Sequence, residues 1–205
     1  MTARPEPFRR ALSDLRARLR DGRLPPGARV TAKDVAEDLR LSPTPVREAL
    51  SRLAGEGVLQ ERRGDGFFVA RYAAADIAAL FRLSEQLLRL AEAEARPRSP
   101  PPPGPQLEGD PVRAVERLFR SWVLACGNRV LIDAHGTVAA RLVVVRRQEP
   151  RLIADLDVEA RALGALAGPA RRRERTAAVR AFHTRRVALA EPLARLLAPA
   201  DVEGL

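Results

Sequence analysis

The sequence predicts a mainly α protein in two parts, an N-terminal winged helix-turn-helix followed by a C-terminal all-α helical bundle. Three observations point there. Two helix-start signals stand close together at Thr31 and Ser42, a glycine-bearing hairpin pattern covers 58–69, and the chain beyond residue 73 repeats apolar residues at helical spacing around one proline-rich interruption. The expected domains are 1–72 and 73–205, with the Pro-rich connector 96–111 inside the second.

Residues 8–20 set Phe8, Leu12, Leu15 and Leu19 on one helical face, and Asp21-Gly22 followed by Pro25-Pro26-Gly27 closes that helix in a turn. Thr31-Ala32-Lys33-Asp34 is a capping-box-like start whose hydroxyl takes an orphan amide, and Val35, Ala36 and Leu39 form the short apolar side. In Ser42-Pro43-Thr44-Pro45 the serine is the expected N-cap. Prolines at the first and third helical positions cost no intrahelical bond, and the helix runs through Val46, Leu50 and Leu53 to Gly55. Val58 to Arg63 and Phe67-Phe68-Val69 flank Gly64-Asp65-Gly66, a β hairpin.

A long helix over 73–95, capped by Asp76 or the residues before it, carries Ile77, Leu80 and Leu87. Arg96 to Pro111 holds seven of the 17 prolines and is expected to be a stiff, polyproline-like connector. Four helical segments are expected beyond it, near 111–126, 129–147, 151–167 and 170–198.

The 205 residues are 46% hydrophobic, enough for a sizeable core, and carry a formal net charge of +10. Such a charge suits a polyanionic partner. Lys33 is the only lysine, however, and the charge divides as +5 over 1–72 and +5 over 73–205, so arginine-rich composition accounts for part of it. Cys126 is the single cysteine, which excludes an intramolecular disulfide and fits a reducing cytoplasm. The start has no apolar h-region and no run approaches the roughly 18 apolar residues a membrane span needs, so neither secretion nor a membrane anchor is expected.

The stretch from Leu19 to Val69 resembles the DNA-binding domain of the GntR family of bacterial transcription regulators. The turn Gly22 to Gly27, the helix starts at Thr31 and Ser42, the run Thr44-Pro45-Val46-Arg47-Glu48-Ala49-Leu50 and the wing Gly64 to Val69 all stand at the family's offsets. Asp76-Ile77-Ala78-Ala79-Leu80-Phe81 after the wing, with an all-helical remainder, looks like the FadR-type branch, and the proline connector makes the shortened VanR-like arrangement the closer match. Two positions depart from the family pattern. Pro43 stands where an arginine is common, and Arg40 where a glycine usually ends the preceding helix, at about 1 kcal/mol if that residue is left-handed.

A recognition helix presents its N-terminal turn to base edges and phosphates, and free amides there favour a phosphate. Ser42, Thr44 and Pro45 form that turn. Arg47, three residues on from Thr44, can contact guanine O6 and N7 in bidentate fashion, worth about 1–3 kcal/mol. The resemblance implies a backbone contact for Lys33 and a minor-groove contact for Arg62, Arg63 and Gly64, with Gly66 in the same wing. Each has a plainer alternative: Arg47 pairing with Glu48, Arg52 on a solvated face instead of a phosphate, Arg62 and Arg63 solubilising a hairpin edge, Ser42 and Thr44 acting as caps.

FadR-type effector domains often hold a divalent metal on an aspartate and three histidines. With the register set on Ala125-Cys126-Gly127-Asn128, those positions fall on Val115, Phe119, Ala160 and Phe182, and the pocket arginine falls on Ser84. On this alignment neither metal site nor anion clamp is expected, and no cofactor. Val115, Leu118, Phe119 and Trp122 form a stripe at i, i+3, i+4 and i+7 that is either ordinary core or the wall of a pocket for an apolar or aromatic effector. His135, in a stripe with Leu131, Val138 and Leu142, is either a satisfied core histidine or an exposed one. His183 lies one residue off the metal register, and a lone histidine holds no metal usefully. Cys126, at the end of an apolar helix, is expected to be a small core residue.

No Gly-rich phosphate loop, nucleophile elbow or HExxH occurs, so no enzyme is expected. The expectation is a dimeric, cytoplasmic, ligand-responsive repressor on a palindromic operator. A winged-helix architectural or protein-interaction module without an effector is the first alternative, and a metal-dependent sensor or enzyme the second.

Overall fold

A computed structural model of the chain describes residues 6–95, 109–166 and 171–198. They fall into two compact units, one comprising the described residues up to Arg71 together with Leu197 and Ala198, the other running Tyr72–Leu196. The proline connector lies, apart from its last residues, outside the described segments. Among the described residues no helix is long and apolar enough to cross a membrane.

The first unit orders α1 (Pro7–Asp21), β1 (Arg29–Val30), α2 (Ala32–Leu39), α3 (Pro43–Gly55), β2 (Leu59–Arg62) and β3 (Gly66–Val69). α1 packs on α3, with Ala11, Leu15 and Leu19 buried on one and Val46, Ala49, Leu50 and Leu53 on the other. Arg16 Nη2 adds a forked bond to both oxygens of Glu56, each at 2.9 Å. The hairpin registers Leu59 on Val69 and Arg62 on Gly66. β1 pairs antiparallel with β3, making a three-stranded sheet in the order β1-β3-β2 that the sequence pattern did not disclose. Two residues are too few to show alternation, so β1 owes its existence to the ladder β3 offers it.

Local capping follows the sequence at one helix and departs from it at another. Thr31 Oγ1 accepts from the Asp34 amide at 3.2 Å. Ser42 occupies the N-cap position of α3 but makes no side-chain capping bond. An N-cap oxygen takes the amide of the second or third helical residue, and Pro45 removes the third, so the expected serine cap is a cap by backbone position only. Arg40 closes α2 at φ 51° and ψ 50°, the left-handed region where an L side chain is strained.

The second unit contains α4 (Ala74–Glu94), α5 (Pro111–Ala125), α6 (Arg129–Arg146), a 3-10 turn (Glu149–Arg151), α7 (Leu156–Gly164), α8 (Arg172–Ala188) and α9 (Ala190–Leu197). Two of the expected helices need correction. The segment near 151–167 begins as the 3-10 turn and becomes α-helical only at Leu156. The segment 170–198 breaks at Leu189, because Pro192 can neither donate to the carbonyl of residue 188 nor clear it sterically. α4 is started by the Ala73 amide donating to Asp76 Oδ2 at 3.3 Å, and α5 by Asp110 Oδ1 accepting from Val112 at 2.9 Å.

An apolar cluster fills this unit with Leu88 of α4, Val115, Leu118 and Phe119 of α5, Ala160 and Leu163 of α7, and Val179 and Phe182 of α8. Beside it lie charges that the apolar patterning hides. Arg186 and Glu149 are both 0% exposed. Arg186 Nη2 donates to Glu149 Oε2 (3.0 Å) and Glu159 Oε2 (2.7 Å), and Nη1 to Glu159 Oε1 (3.0 Å) and the Phe182 carbonyl (3.1 Å). Arg146 Nε donates to Glu149 Oε1 at 3.0 Å. Burial opposes the Arg146 charge, but Glu149 and Glu116 more than offset it and raise its pKa.

Two stability outcomes follow from these placements. Arg40→Gly relieves the left-handed strain and, after the larger unfolded-state entropy of glycine is subtracted, is expected to stabilise the chain by about 0.5–1 kcal/mol in urea unfolding. Arg186→Leu strips the buried Glu149 of one of its two cations, leaving only Arg146, and takes from Glu159 its buried partner; it is expected to cost about 3–5 kcal/mol. Adding Glu149→Gln should recover part of that loss, and an unchanged urea midpoint in the single variant would contradict the assignment.

Candidate nucleic-acid interface

α2 and α3 meet across Arg40, Leu41 and Ser42 as a helix-turn-helix, and the N-terminal turn of α3 faces solvent. Ser42, Pro43, Thr44 and Arg47 are exposed there, while Pro45 is half-buried over the buried Val46. The four amides left unbonded at a helix start are those of the N-cap and the first three residues, and two of these are proline in α3. Only Ser42 and Thr44 retain an N–H, so this turn is a weaker phosphate site than its helix position suggests. The groups this turn exposes are mainly side chains: the hydroxyls of Ser42 and Thr44, and Arg47 one turn further on.

Lys33, on the first turn of α2, and Arg63, at the wing tip, are also exposed, and among the described residues no carboxylate lies within 4.0 Å of Lys33, Arg47 or Arg63. The Arg47–Glu48 pair is not formed. Other basic residues are engaged within the protein. Arg52 Nε donates to Glu56 Oε1 at 2.8 Å, and the Arg62 guanidinium stands 4.3 Å from the centre of the Phe68 ring. Arg62, though exposed, is thereby engaged by the Phe68 ring, and Arg63 is the exposed wing cation without such a contact. Gly64 (φ 83°) and Gly66 (φ 97°) both sit in the left-handed region, which shapes the tip, and a Cβ on Gly64 would meet no atom within 4 Å. The open side of Gly64 suits close approach by another backbone.

The residues singled out in the helical unit assemble partly. Val115, Phe119, Ala160 and Phe182 belong to one core cluster, with Trp122 packed against it. Phe119 meets Phe182 edge-on at 5.0 Å and Trp122 at 5.6 Å. Ser84 joins through His183, whose ring stacks on Phe119 at 5.5 Å. The His183 Nδ1–H donates to the Val179 carbonyl (2.7 Å), leaving Nε2 to accept from the Ser84 hydroxyl (3.1 Å). Burial, with Arg146 and Arg186 nearby, holds its pKa down at about 3. His135 is buried, not exposed, and near enough to His183 to act on its charge; burial and the nearby Arg146 and Arg120 lower its pKa to about 4. Cys126 is buried in the cluster, its sulfur accepting from the Asn128 amide at 3.3 Å.

Sequence reasoning missed the arginines of this interior. Arg146 and Arg186 hold their guanidinium carbons 5.3 and 3.3 Å from the Phe182 ring centre. Among the described residues, the buried Trp122 Nε1, Arg146 Nη2 and Arg186 Nε find no hydrogen-bond partner. A signal was present: Val179, Phe182, His183 and Arg186 stand at i, i+3, i+4 and i+7, so Arg186 continues an inward stripe.

Residues 8–69 match the family described as "Bacterial regulatory proteins, gntR family". A stretch of 83 residues, 40% of this chain, is 37% identical to the HTH-type transcriptional regulator McbR of Escherichia coli (strain K12), and it spans 38% of that protein. Among solved structures, E. coli McbR/YncC is similar with a TM-score of 0.71 at 20% identity, over 92% of this chain and 99% of that one. A GntR transcriptional regulator from Rhodococcus sp. RHA1 gives 0.70 at 16% identity, over 89% and 96%. These two likenesses extend the shared fold through the helical unit. The winged helix carries the closer relationship: residues 8–69 form a helix-turn-helix domain similar to that of the gntR family of bacterial regulatory proteins.

Proposed function

We propose that the chain is a sequence-specific, DNA-binding transcription regulator acting in the cytoplasm, a repressor that grips a palindromic operator as a homodimer. Residues 1–72 read the DNA, and residues 73–205 dimerise, set the spacing of two recognition helices and answer to a small molecule. The observation that carries this reading is the unpaired, exposed Arg47 one turn along α3 from Thr44, flanked by exposed Lys33 and Arg63. A two-fold dimer requires a two-fold operator. The aromatic walls of Phe119, Trp122 and Phe182 support an effector with an aromatic or apolar body. The orphan donors Trp122 Nε1 and Arg146 Nη2 would receive an acceptor group on it. An effector that binds one arrangement of the dimer better than the other shifts operator affinity, and the operator shifts effector affinity by the same factor.

Selection of bound fragments from random duplexes, followed by footprinting at physiological salt, is expected to return a palindrome. Arg47→Ala should weaken the selected site by about 1–3 kcal/mol and relax preference at one position of each half-site. Lys33→Ala should weaken all sequences alike and lower the salt slope by about 1. Arg52→Ala, whose guanidinium is already engaged by Glu56, should change little. Affinity that is uniform across sequences and indifferent to Arg47→Ala would instead mark an architectural or protein-interaction module.

A further inference from the structure

The outward face of α8 meets α4 in an open groove of about 720 Å³ lined by Arg89, Arg173, Arg180 and Arg185 with Thr176 and Thr184. Alanines 177 and 181 complete the lining, and their short side chains keep the space between the arginines open. No acidic residue lines it. The volume lies within the range of about 300–1,000 Å³ typical of small-molecule sites.

The charge in this groove is not a general property of the helix. α8 carries six arginines and one acid. Four of the six find carboxylates: Arg172 and Arg175 meet Glu92, Arg185 meets Asp155, and Arg186 meets Glu149 and Glu159. Arg173 and Arg180 have no carboxylate within 4.0 Å among the described residues, and both line the groove. Arg89 opposite them is only loosely balanced, 3.9 Å from Glu85. Two of the groove's four arginines, Arg173 and Arg180, thus stand without a counter-charge beside two that have one.

We propose that this α4–α8 groove binds a small polyphosphate anion. Arg173 and Arg180 stand seven residues apart, about 10.5 Å along the helix axis, with Arg89 across from them. A single carboxylate would meet one of these arginines, whereas a chain of phosphates spans them. Each guanidinium offers a planar fork of donors matched to phosphate oxygens, and the Thr184 hydroxyl adds a donor of its own. The site lies on the opposite side of α8 from Phe182, His183 and Arg186, so it is separate from the interior effector site proposed above and does not rest on that reading.

The test uses the full chain and inorganic triphosphate as probe, titrated calorimetrically at constant ionic strength, with succinate and sulfate as controls. Saturable binding at one site per chain is expected, at least tenfold tighter than either control and weakened at least tenfold in Arg173→Ser/Arg180→Ser. Both residues are exposed, and an unchanged urea midpoint confirms that the variant folds. Absence of saturable binding, equal binding of succinate or sulfate, or triphosphate binding unaffected by the double substitution overturns the proposal. So does a double variant whose defect lies in binding duplex DNA, or in association with a second copy of the chain, while triphosphate is ignored by the parent protein.

Discussion

The guanidinium of Arg186 ties three segments of the helical unit together in one buried knot. It projects from α8, reaches Glu149 in the turn after α6 and Glu159 on α7, and lies flat over Phe182 of its own helix. Glu149 in turn receives Arg146 from the end of α6. Desolvating such charges is costly, and their attraction offsets that cost only where bonds satisfy nearly every donor and acceptor. The knot therefore fixes a geometry more than it adds stability: α6, its following turn, α7 and α8 cannot slide without leaving a buried charge unmatched. Arg175, bound to both oxygens of Glu92 and to the Leu166 carbonyl, secures α8 to α4 in the same way.

The winged helix is built on the reverse economy, with its charges outward and its core almost purely aliphatic. Two prolines begin α3. They fix the helix start without a serine cap, but they also strip the turn of half its free amides. What that turn lacks in backbone electrostatics leaves Thr44 and Arg47 as the groups it presents, so the proposed DNA recognition would lean on side-chain chemistry, which distinguishes bases, more than on the helix dipole, which does not. Arg40, strained at the end of α2, holds the turn that sets these residues in place.

Most of the fold was legible in the sequence because it is encoded by local devices. Thr31 announced α2, Pro43 announced α3, Gly64 and Gly66 announced the hairpin, and apolar spacing announced α4 to α6. The illegible parts depend on partners distant in sequence or on a single ring. β1 is a strand only because β3 lies beside it, and α8 and α9 are two helices only because Pro192 forbids one. The candidate site shows the same division. Exposure of Lys33, Arg47 and Arg63 followed from position on the helix or wing, whereas the engagement of Arg52 by Glu56 and of Arg62 by Phe68 required coordinates. In the interior, apolar residues at four aligned positions suggested an aliphatic and aromatic filling, and the arginines supplied by neighbouring turns were invisible to that alignment.

Arginine abundance looked at first like a compositional bias that blurs any argument from net charge, and α8 shows how the bias is resolved in space. One helix sends Arg186 and Arg175 inward to carboxylates, sends Arg172 and Arg185 sideways to others, and leaves Arg173 and Arg180 facing open space. Elsewhere exposed arginines such as Arg161 and Arg195 take solvent-screened pairs with Asp157 and Glu191 one turn away, pairs worth little either way. The lining of small residues and hydroxyls around Arg173 and Arg180 contains no such acid. Net charge therefore carries little information about this chain; what matters is position, and the charge on the recognition turn, at the wing tip and in one groove of α8 stands where an anion from outside can complete what the protein leaves open.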